Sequence, residues 1–351
     1  MKSPVLLILF NRPDLTIELL RIIKSQTGRR LYIAADGPRD DIPNDISLCN
    51  AVVQLVKDFA FSYDGECHLQ LQQRNLGCGP GVKSALDWFF SHEEMGIILE
   101  DDCHPCNDFF HFQDTMLEIY MPNDDIFSIS GSSFLPAALR PAEDIFLTKF
   151  TQIWGWGTWR RSWLKYRFQF QNDEIPELEN VINSQFSSNA IAFYWMREFR
   201  GLLARNVPHT WDIQLQFACW RANAMNIAPA NNLVTNCGFR LDATHTKEIL
   251  PRYEKATGTW FASTIGSRLP SYCEELDVLL FWTHAMGMDE NRWKYLLLES
   301  DSDLVSQLSI LAESNFYEMK KTLEWPSFAD ICRIAIRFFW NKLPGFFKPM
   351  S

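Results

Sequence analysis

Gly96-Ile97-Ile98-Leu99-Glu100-Asp101-Asp102 is the stretch of this chain that predicts both its fold and its chemistry. The aliphatic residues in its first half are typical of a short buried strand, because a parallel strand covered on both faces shows no alternation of polar and apolar residues. Three carboxylates follow this strand directly. Ligands of open α/β sheets bind beyond the carboxyl ends of the strands, so the stretch predicts a ligand site as well as a strand.

The three carboxylates, Glu100, Asp101 and Asp102, favour a bound cation. Adjacent carboxylates repel one another and resist transfer out of water, so a compact protein seldom places them at the end of a buried strand without a partner of opposite charge. Mg²⁺ and Mn²⁺ prefer oxygen ligands and can bridge carboxylates to the phosphates of a substrate. The alternative interpretation is an acidic turn that faces solvent.

Strands and helices alternate before this stretch. Apolar runs predict strands at residues 5–10 and 31–35, and a third strand is predicted at 68–71. A segment with apolar residues at helical spacing follows each of them. The repeated alternation predicts a parallel sheet with right-handed crossovers, and therefore the α/β fold class.

Polar residues stand at the ends of three of these four strands. Asn11 and Arg12 follow the first strand, Asp36 follows the second, and the three carboxylates follow the fourth. Because parallel strands end at the same edge of a sheet, we expect these side chains to converge on one pocket that could hold a nucleotide. By spacing alone, Arg12 could equally be a surface ion pair, and Asp36, which Gly37 and Pro38 follow, could be part of a turn.

The pattern changes after residue 105. Helical spacing of apolar residues recurs at 108–120, 189–205 and 211–222, and short strands are predicted at 126–129, 145–147 and 233–236. Beyond about residue 265 the chain is predicted to be mainly helical. Tryptophan and glycine are interleaved between residues 154 and 159. Aromatic faces suit stacking on sugar rings, although the same residues could belong to the core.

Composition and charge limit the possible functions. The 351 residues carry a formal net charge of -10, whereas a general nucleic-acid binder would show a basic face, so no nucleic-acid partner is expected. The 9 cysteines have no repeated spacing and no signal peptide is recognised, which predicts free thiols in a cytoplasmic protein. No apolar run approaches the ~18 residues of a spanning helix.

The segment at residues 327–351 is a separate feature of the sequence. Phe328, Ile331, Ala335 and Phe339 fall on one face of a predicted helix, and basic and aromatic residues follow them. An amphipathic helix of this kind can lie in a membrane interface, or it can pack on the protein's own core. Both interpretations remain open at this point.

Six segments together indicate a family, in the order Phe10-Asn11-Arg12-Pro13, Asp36-Gly37-Pro38, Asn75-Leu76-Gly77, Glu100-Asp101-Asp102, the tryptophans at 154–159, and Trp211-Asp212. Over residues 4–246 the chain resembles glycosyltransferases of the GT-A fold. More narrowly, it is similar to bacterial sugar transferases related to family two and to the N-acetylglucosaminyltransferase that begins complex N-glycan branching.

The resemblance implies a GT-A domain with a Rossmann-like, mostly parallel sheet over residues 1–250. Its donor half would extend to about residue 105 and its acceptor half from about 106 to 250. Residues 251–351 would form a mainly helical C-terminal region that ends in the basic amphipathic tail.

The resemblance also implies residue roles in donor binding. Asp102 would coordinate a divalent metal, Mn²⁺ or Mg²⁺, and His245 is a second candidate ligand. Glu100 and Asp101 would lie by the ribose and the donor sugar. Without the resemblance, His245 would be taken as a structural histidine.

The remaining implied roles concern the nucleotide and the acceptor. Asp36 would meet the base, and Arg12, with its neighbour Asn11, would lie near the base or the diphosphate. Asp212 would be the catalytic base of an inverting displacement, although it could instead cap the helix that follows it. The acceptor contacts would come from the tryptophans, namely Trp154 and Trp156.

The expected function is therefore a metal-dependent, inverting glycosyltransferase. It would move a sugar from a nucleotide-diphospho-sugar, with UDP-sugars as the expected donors, to a hydroxyl of a surface glycan or a lipid-linked acceptor. The tail would hold it peripherally on the cytoplasmic face of the inner membrane. The alternatives are a nucleotidyltransferase that makes sugar nucleotides and a non-catalytic sugar- or nucleotide-binding module.

Overall fold

The computed structural model describes residues 2–135, 140–141, 143–238, 260 and 269–284 of the chain. The strands within these residues are β1 (Val5–Leu9), β2 (Leu31–Ala35), β3 (Cys67–Leu71), β4 (Met95–Glu100), β5 (Cys103–Pro105), β6 (Ile126–Ser130), β7 (Ile145–Thr148), β8 (Trp156–Trp159), β9 (Met225–Pro229) and β10 (Val234–Asn236). The helices are α1 (Pro13–Lys24), α2 (Asp45–Ser62), α3 (Cys78–His92), α4 (Phe109–Ile119), α5 (Arg160–Trp163), α6 (Ile175–Gln185), α7 (Asn189–Leu203), α8 (Asp212–Arg221) and α9 (Glu274–His284).

Most of the described strands belong to one mixed but mainly parallel sheet, an 8-stranded array in the order β3-β2-β1-β4-β8-β6-β9-β7. The pairs β2–β3, β1–β2, β1–β4 and β6–β9 are parallel, whereas β7 and β8 run antiparallel to their neighbours. β5 and β10 form a separate antiparallel pair. The predicted α/β class with a mostly parallel sheet is confirmed.

Helices cover both faces of the sheet. Leu7 of β1 packs in a cluster with residues of α1, α2 and α4, whereas its neighbour Leu6 packs in a cluster with residues of α3 and α8. Both leucines are 0% exposed, which explains why the strand is apolar throughout rather than alternating. A third cluster joins α6, α7 and α9 to β7.

The tryptophan-rich segment is a strand in the middle of the sheet. β8 pairs with β4 on one side and with β6 on the other, so one sheet runs through both predicted halves of the chain. A Cβ added to Gly157 would lie 2.5 Å from Oε1 of Gln113 in α4. The glycine therefore allows a core helix to pack closely on the strand, and it does not mark the approach of a sugar.

The predicted elements of the first 105 residues coincide with β1 to β4 and α1 to α3, and the predicted helices of the second half correspond to α4, α7 and α8. The strands β5, β8 and β9 and the helices α5 and α6 were not predicted.

Among the described helices, none combines the length and the apolarity needed to cross a membrane. The cysteines that the structure describes are free thiols. Most of residues 251–351, including the tail at 327–351, lies outside the described residues.

Candidate functional site

A cavity of about 810 Å³ opens at the carboxyl ends of β1, β2 and β4. Its other walls are the first turn of α3, the loop at residues 207–211 and the start of α8. The volume is within the ~300–1,000 Å³ that is typical of small-molecule sites. The cavity also lies at the sheet edge where α/β proteins bind their ligands.

The floor of the cavity is one row of residues across four parallel strands. The register aligns Gln70 with Ala34, Ala34 with Ile8, and Ile8 with Glu100. All four residues line the cavity. Neighbouring strands lie ~4.8 Å apart, so the row spans roughly 14 Å. The floor therefore has the amide of Gln70 at one end and the carboxylate of Glu100 at the other. Its length suits an extended ligand.

Arg12 connects two of the three carboxylates that follow β4. Its Nη1 atom donates to Asp101 Oδ1 at 3.1 Å and to Asp102 Oδ2 at 2.9 Å. Asp101 Oδ2 also accepts the backbone N–H of Phe10 at 3.4 Å. Arg12 immediately precedes Pro13, the first residue of α1, so the end of β1 and the start of this helix position the guanidinium. The structure thus brings the guanidinium of Arg12 together with the carboxylates of Asp101 and Asp102, as the strand ends predicted.

The carboxylates carry more negative charge than Arg12 offsets. Burial, together with the charges of Asp102, Asp101 and Asp212, raises the pKa of Glu100 well above its ordinary value, and Arg12 lowers it only in part. Burial also raises the pKa of Asp101, although Arg12 acts in the opposite direction. Burial and like charge both disfavour ionised carboxyl groups, so a further cation at this site would stabilise them.

The acidic residues fit a cation that takes part of its ligands from a substrate. Among the residues that the structure describes, no three His, Cys, Asp or Glu side chains are grouped to hold a metal ion by themselves. Mg²⁺, however, is commonly bound by one or two carboxylates together with substrate phosphates and water. Asp101 and Asp102 supply two carboxylates that are directed at the same nitrogen of Arg12. The donor set therefore fits that kind of site and not an all-protein cage.

The β5–β10 pair holds a second segment of chain beside Asp102. The backbone N–H of Cys237 donates to the carbonyl oxygen of Asp102 at 2.8 Å. A Cβ added to Gly238 would lie 2.2 Å from Asp102 Oδ2, so only a glycine leaves room for the carboxylate at this position. His245, the other predicted metal ligand, lies outside the described residues, and its role stays a prediction.

Asp212 lies in the cavity wall that α8 forms. It is the first residue of the helix, the N-cap position belongs to Trp211, and no side chain caps this helix end. The capping alternative is therefore not what the structure shows. The hydroxyl of Thr210 donates to Asp212 Oδ1. A carboxylate in the first turn is also stabilised by the helix dipole.

Asp36 lines the cavity, but its oxygens hold a loop together. They accept the N–H groups of Gly37 at 2.9 Å, Leu76 at 2.9 Å and Gly77 at 3.1 Å, and the side-chain amide of Asn75 at 2.9 Å. Burial raises the pKa of Asp36, and the backbone hydrogen bonds oppose this effect. The loop therefore occupies the acceptor positions of Asp36, and its predicted contact with the base stays a prediction.

Asn11 does not line the cavity, contrary to its predicted contact with the nucleotide. Its amide donates at 2.8 Å to Asp45, a carboxylate that is 1% exposed. Asp45 also accepts from Arg39 Nε at 2.5 Å and Nη2 at 3.0 Å. Arg39 lies over the ring of Phe10, 5.3 Å from its centroid, and lines the cavity. Asn11 therefore supports a cavity residue through a buried carboxylate.

The two tryptophans predicted to contact the acceptor have different environments. Trp154 is partly buried, lines the cavity and packs edge-on against Phe134 at 4.8 Å between ring centroids. Trp156 is 1% exposed and stacks on Trp211 in the core between the sheet, α3 and α8. Trp156 therefore presents no free face to a sugar, and its predicted acceptor contact is wrong.

Several cavity residues were missed by the sequence reasoning. Gln70 lies near the end of β3 and Gln72 directly follows the strand, and both line the cavity beside the predicted nucleotide residues. Two amides spaced by two at a strand end were a usable signal, because they share one face. Arg39 and Thr210 had no comparable signal, since neither stands at a strand end.

A scan against protein-family models and a search of curated proteins find no match to this chain. The function is therefore inferred from the cavity itself: its length, its charges and the residues that face it.

Proposed function

We propose that the protein is a metal-dependent glycosyltransferase of the GT-A type, which binds a nucleotide-diphospho-sugar in this cavity. The observation that carries the proposal is the placement of the Glu100–Asp102 carboxylates, Arg12 and Asp212 around one elongated cavity. In the described part of the chain, the Glu100–Asp102 carboxylates outnumber the one guanidinium beside them, and this supports the binding of a divalent cation together with a diphosphate. A floor of roughly 14 Å supports a ligand with a base at one end and a sugar diphosphate at the other.

The donor would lie along the floor. Gln70 and Arg39 would meet the base and ribose, and Arg12 would meet the diphosphate, while Asp102 and Asp101 would hold Mn²⁺ or Mg²⁺. When bound, this cation neutralises the charge that develops on the departing nucleoside diphosphate. Glu100 would lie nearest the donor sugar and contribute a protonated or charged oxygen according to its raised pKa.

Asp212 would act as the catalytic base on the acceptor side. An acceptor hydroxyl is a weak nucleophile until a carboxylate takes its proton, and Asp212 has one oxygen engaged by Thr210 and a second for this task. The attack then breaks the bond from the anomeric carbon to the diphosphate oxygen, and the configuration at that carbon inverts. Trp154 would stack on the acceptor sugar.

The acceptor class remains the one expected from the sequence, a surface glycan or a lipid-linked glycan on the cytoplasmic face of the inner membrane. No contact in the described residues selects between these acceptors. UDP-sugars remain the expected donors.

The test is to incubate the protein with a panel of nucleotide sugars and Mn²⁺ and to measure release of the nucleoside diphosphate. We expect release with one donor class, loss of release in EDTA, and loss in Asp102→Asn. Pyrophosphate release from a nucleoside triphosphate and a sugar 1-phosphate would instead identify a nucleotidyltransferase. Binding of a nucleotide sugar without any release, with or without glycan acceptors, would identify a non-catalytic module.

A further inference from the structure

Arg12 occupies the position between the two aspartates at which a shared cation would be expected. One nitrogen, Nη1, lies 3.1 Å from Asp101 Oδ1 and 2.9 Å from Asp102 Oδ2. The Arg12 side chain is 19% exposed and the Asp102 side chain 22%, so both remain accessible from the cavity. The guanidinium is therefore an internal counter-ion that an incoming ligand can reach.

The surroundings of Asp102 leave little freedom to accommodate a second cation. Gly238 lies against Oδ2, and the backbone of Asp102 is held by Cys237. Arg12 Nη1 lies 2.9 Å from this oxygen, which a metal ion bound to Asp102 would have to share with it. Two positive charges on one carboxylate repel each other, so a metal ion and this guanidinium would compete for Asp102.

We propose that Arg12 holds the carboxylates in the metal-free protein and moves from Asp102 to the donor diphosphate when metal and donor bind together. This inference rests on the proposed function. Metal alone must displace Arg12 from its anionic partners, whereas metal with a diphosphate offers Arg12 a new anionic partner. Metal and nucleotide should therefore each strengthen the binding of the other, and Arg12 should be the origin of this coupling.

The experiment measures Mn²⁺ binding directly, through the electron paramagnetic resonance signal of free aqueous Mn²⁺, with and without saturating UDP. In the wild-type protein we expect UDP to strengthen Mn²⁺ binding by about tenfold or more. In Arg12→Gln we expect Mn²⁺ alone to bind about fivefold more tightly and the effect of UDP to fall below about threefold.

Two further variants separate competition from general charge effects. Arg12→Lys keeps the positive charge, and its affinity for Mn²⁺ alone should stay within about twofold of wild type. Arg74→Gln removes the same charge from an exposed side chain outside the cavity lining, and it should change neither Mn²⁺ affinity nor coupling.

The following results would overturn the inference. Unchanged or weaker Mn²⁺ binding by Arg12→Gln would show that Arg12 does not compete with the metal. If Arg12→Lys or Arg74→Gln bound Mn²⁺ as much more tightly as Arg12→Gln does, the gain in affinity would not come from removal of the Arg12 guanidinium. If the wild type binds no Mn²⁺ even with UDP, the metal part of the proposed function fails together with this inference. Mn²⁺ binding that Asp102→Asn abolishes but Arg12→Gln leaves unchanged would reject the inference alone.

Discussion

At the level of single residues, the cavity is defined by charges that do not balance. Arg12 is shared between Asp101 and Asp102, and the pKa of Glu100 is raised first by burial and then by its anionic neighbours. An uncompensated carboxyl group destabilises the folded protein when it ionises. The site therefore lowers the free energy of unfolding at neutral pH. Binding of a cation would remove this loss.

Replacing Glu100 tests this imbalance through stability. Because the folded-state pKa is raised, the protonated form stabilises the fold at acidic pH, and this contribution is lost as the pH rises from about 4 through the raised pKa. Glu100→Gln should thus melt close to wild type at pH 4.5 and at least ~2 °C higher at pH 9. Thermal melting in EDTA across this pH range is the measurement. An advantage for the variant that does not grow with pH would contradict the assigned imbalance.

Asp212→Asn tests the assignment of the base. The amide retains the size of the carboxylate and can still bond to Thr210, but it cannot accept the proton of an acceptor hydroxyl. Transfer should fall ~100-fold or more while the dissociation constant for the donor changes by less than about threefold. Steady-state kinetics and donor titration give the two quantities. Parallel losses in transfer and in donor binding would indicate that Asp212 binds the donor and is not the base.

At the level of elements, the cavity depends on how α3 meets the loop before α8. A Cβ added to Gly79 in the first turn of α3 would lie 2.7 Å from the carbonyl oxygen of Pro208 and 2.9 Å from that of Thr210. Both are backbone atoms, which cannot move independently of the loop. The glycine therefore sets the distance between the donor-side helix and the segment that carries Asp212.

Gly79→Ala should push this loop away from α3. We expect a loss of about 1–3 kcal/mol in the free energy of unfolding and a drop in transfer greater than any drop in UDP affinity. Gly201→Ala is the matched control, because nothing lies within 4 Å of its added Cβ in α7. That control should be neutral or up to ~1 kcal/mol more stable. Wild-type stability and activity in Gly79→Ala would contradict the close packing.

The two tryptophans around β8 allow a comparison between packing and binding. Trp156→Ala removes a ring that is 1% exposed and should destabilise the protein by about 3–5 kcal/mol. Trp154→Ala removes a cavity ring and should mainly raise the acceptor KM, with a smaller loss of stability. Chemical denaturation and acceptor kinetics distinguish the two effects. An acceptor defect in a well-folded Trp156→Ala would restore the role predicted from the sequence.

At the level of the whole molecule, the predictability of the fold changes at β4. β1, β2 and β4 are apolar runs followed by polar residues or turns, so local pattern was sufficient to predict them. β8 contains Gly157 and Thr158, and β9 contains the buried Asn226, so neither has a clear apolar period. Such strands are specified by long-range contacts: Asn226 accepts a hydrogen bond from Ser128 at 2.6 Å and is 0% exposed.

The same division applies to the candidate site. Arg12 and the carboxylates could be predicted because they stand at the ends of recognisable strands. The proximity of Gly238 to Asp102 could not, because it depends on the pairing of β5 with β10, whose residues are far apart in the chain. The loop contacts of Asp36 were not predicted for a related reason: sequence spacing alone does not bring this aspartate to the backbone before α3.

The central claim is that the carboxylates after β4 hold a cation against the diphosphate of a nucleotide. Calorimetric titration of UDP into wild type and Asp102→Asn, each with Mn²⁺ or with EDTA, tests it most directly, with circular dichroism to verify that the variant is folded. We predict that wild type with Mn²⁺ binds UDP at least ~10-fold more tightly than the other three combinations. Equal affinity in all four titrations, or no binding of UDP in any, would contradict the claim.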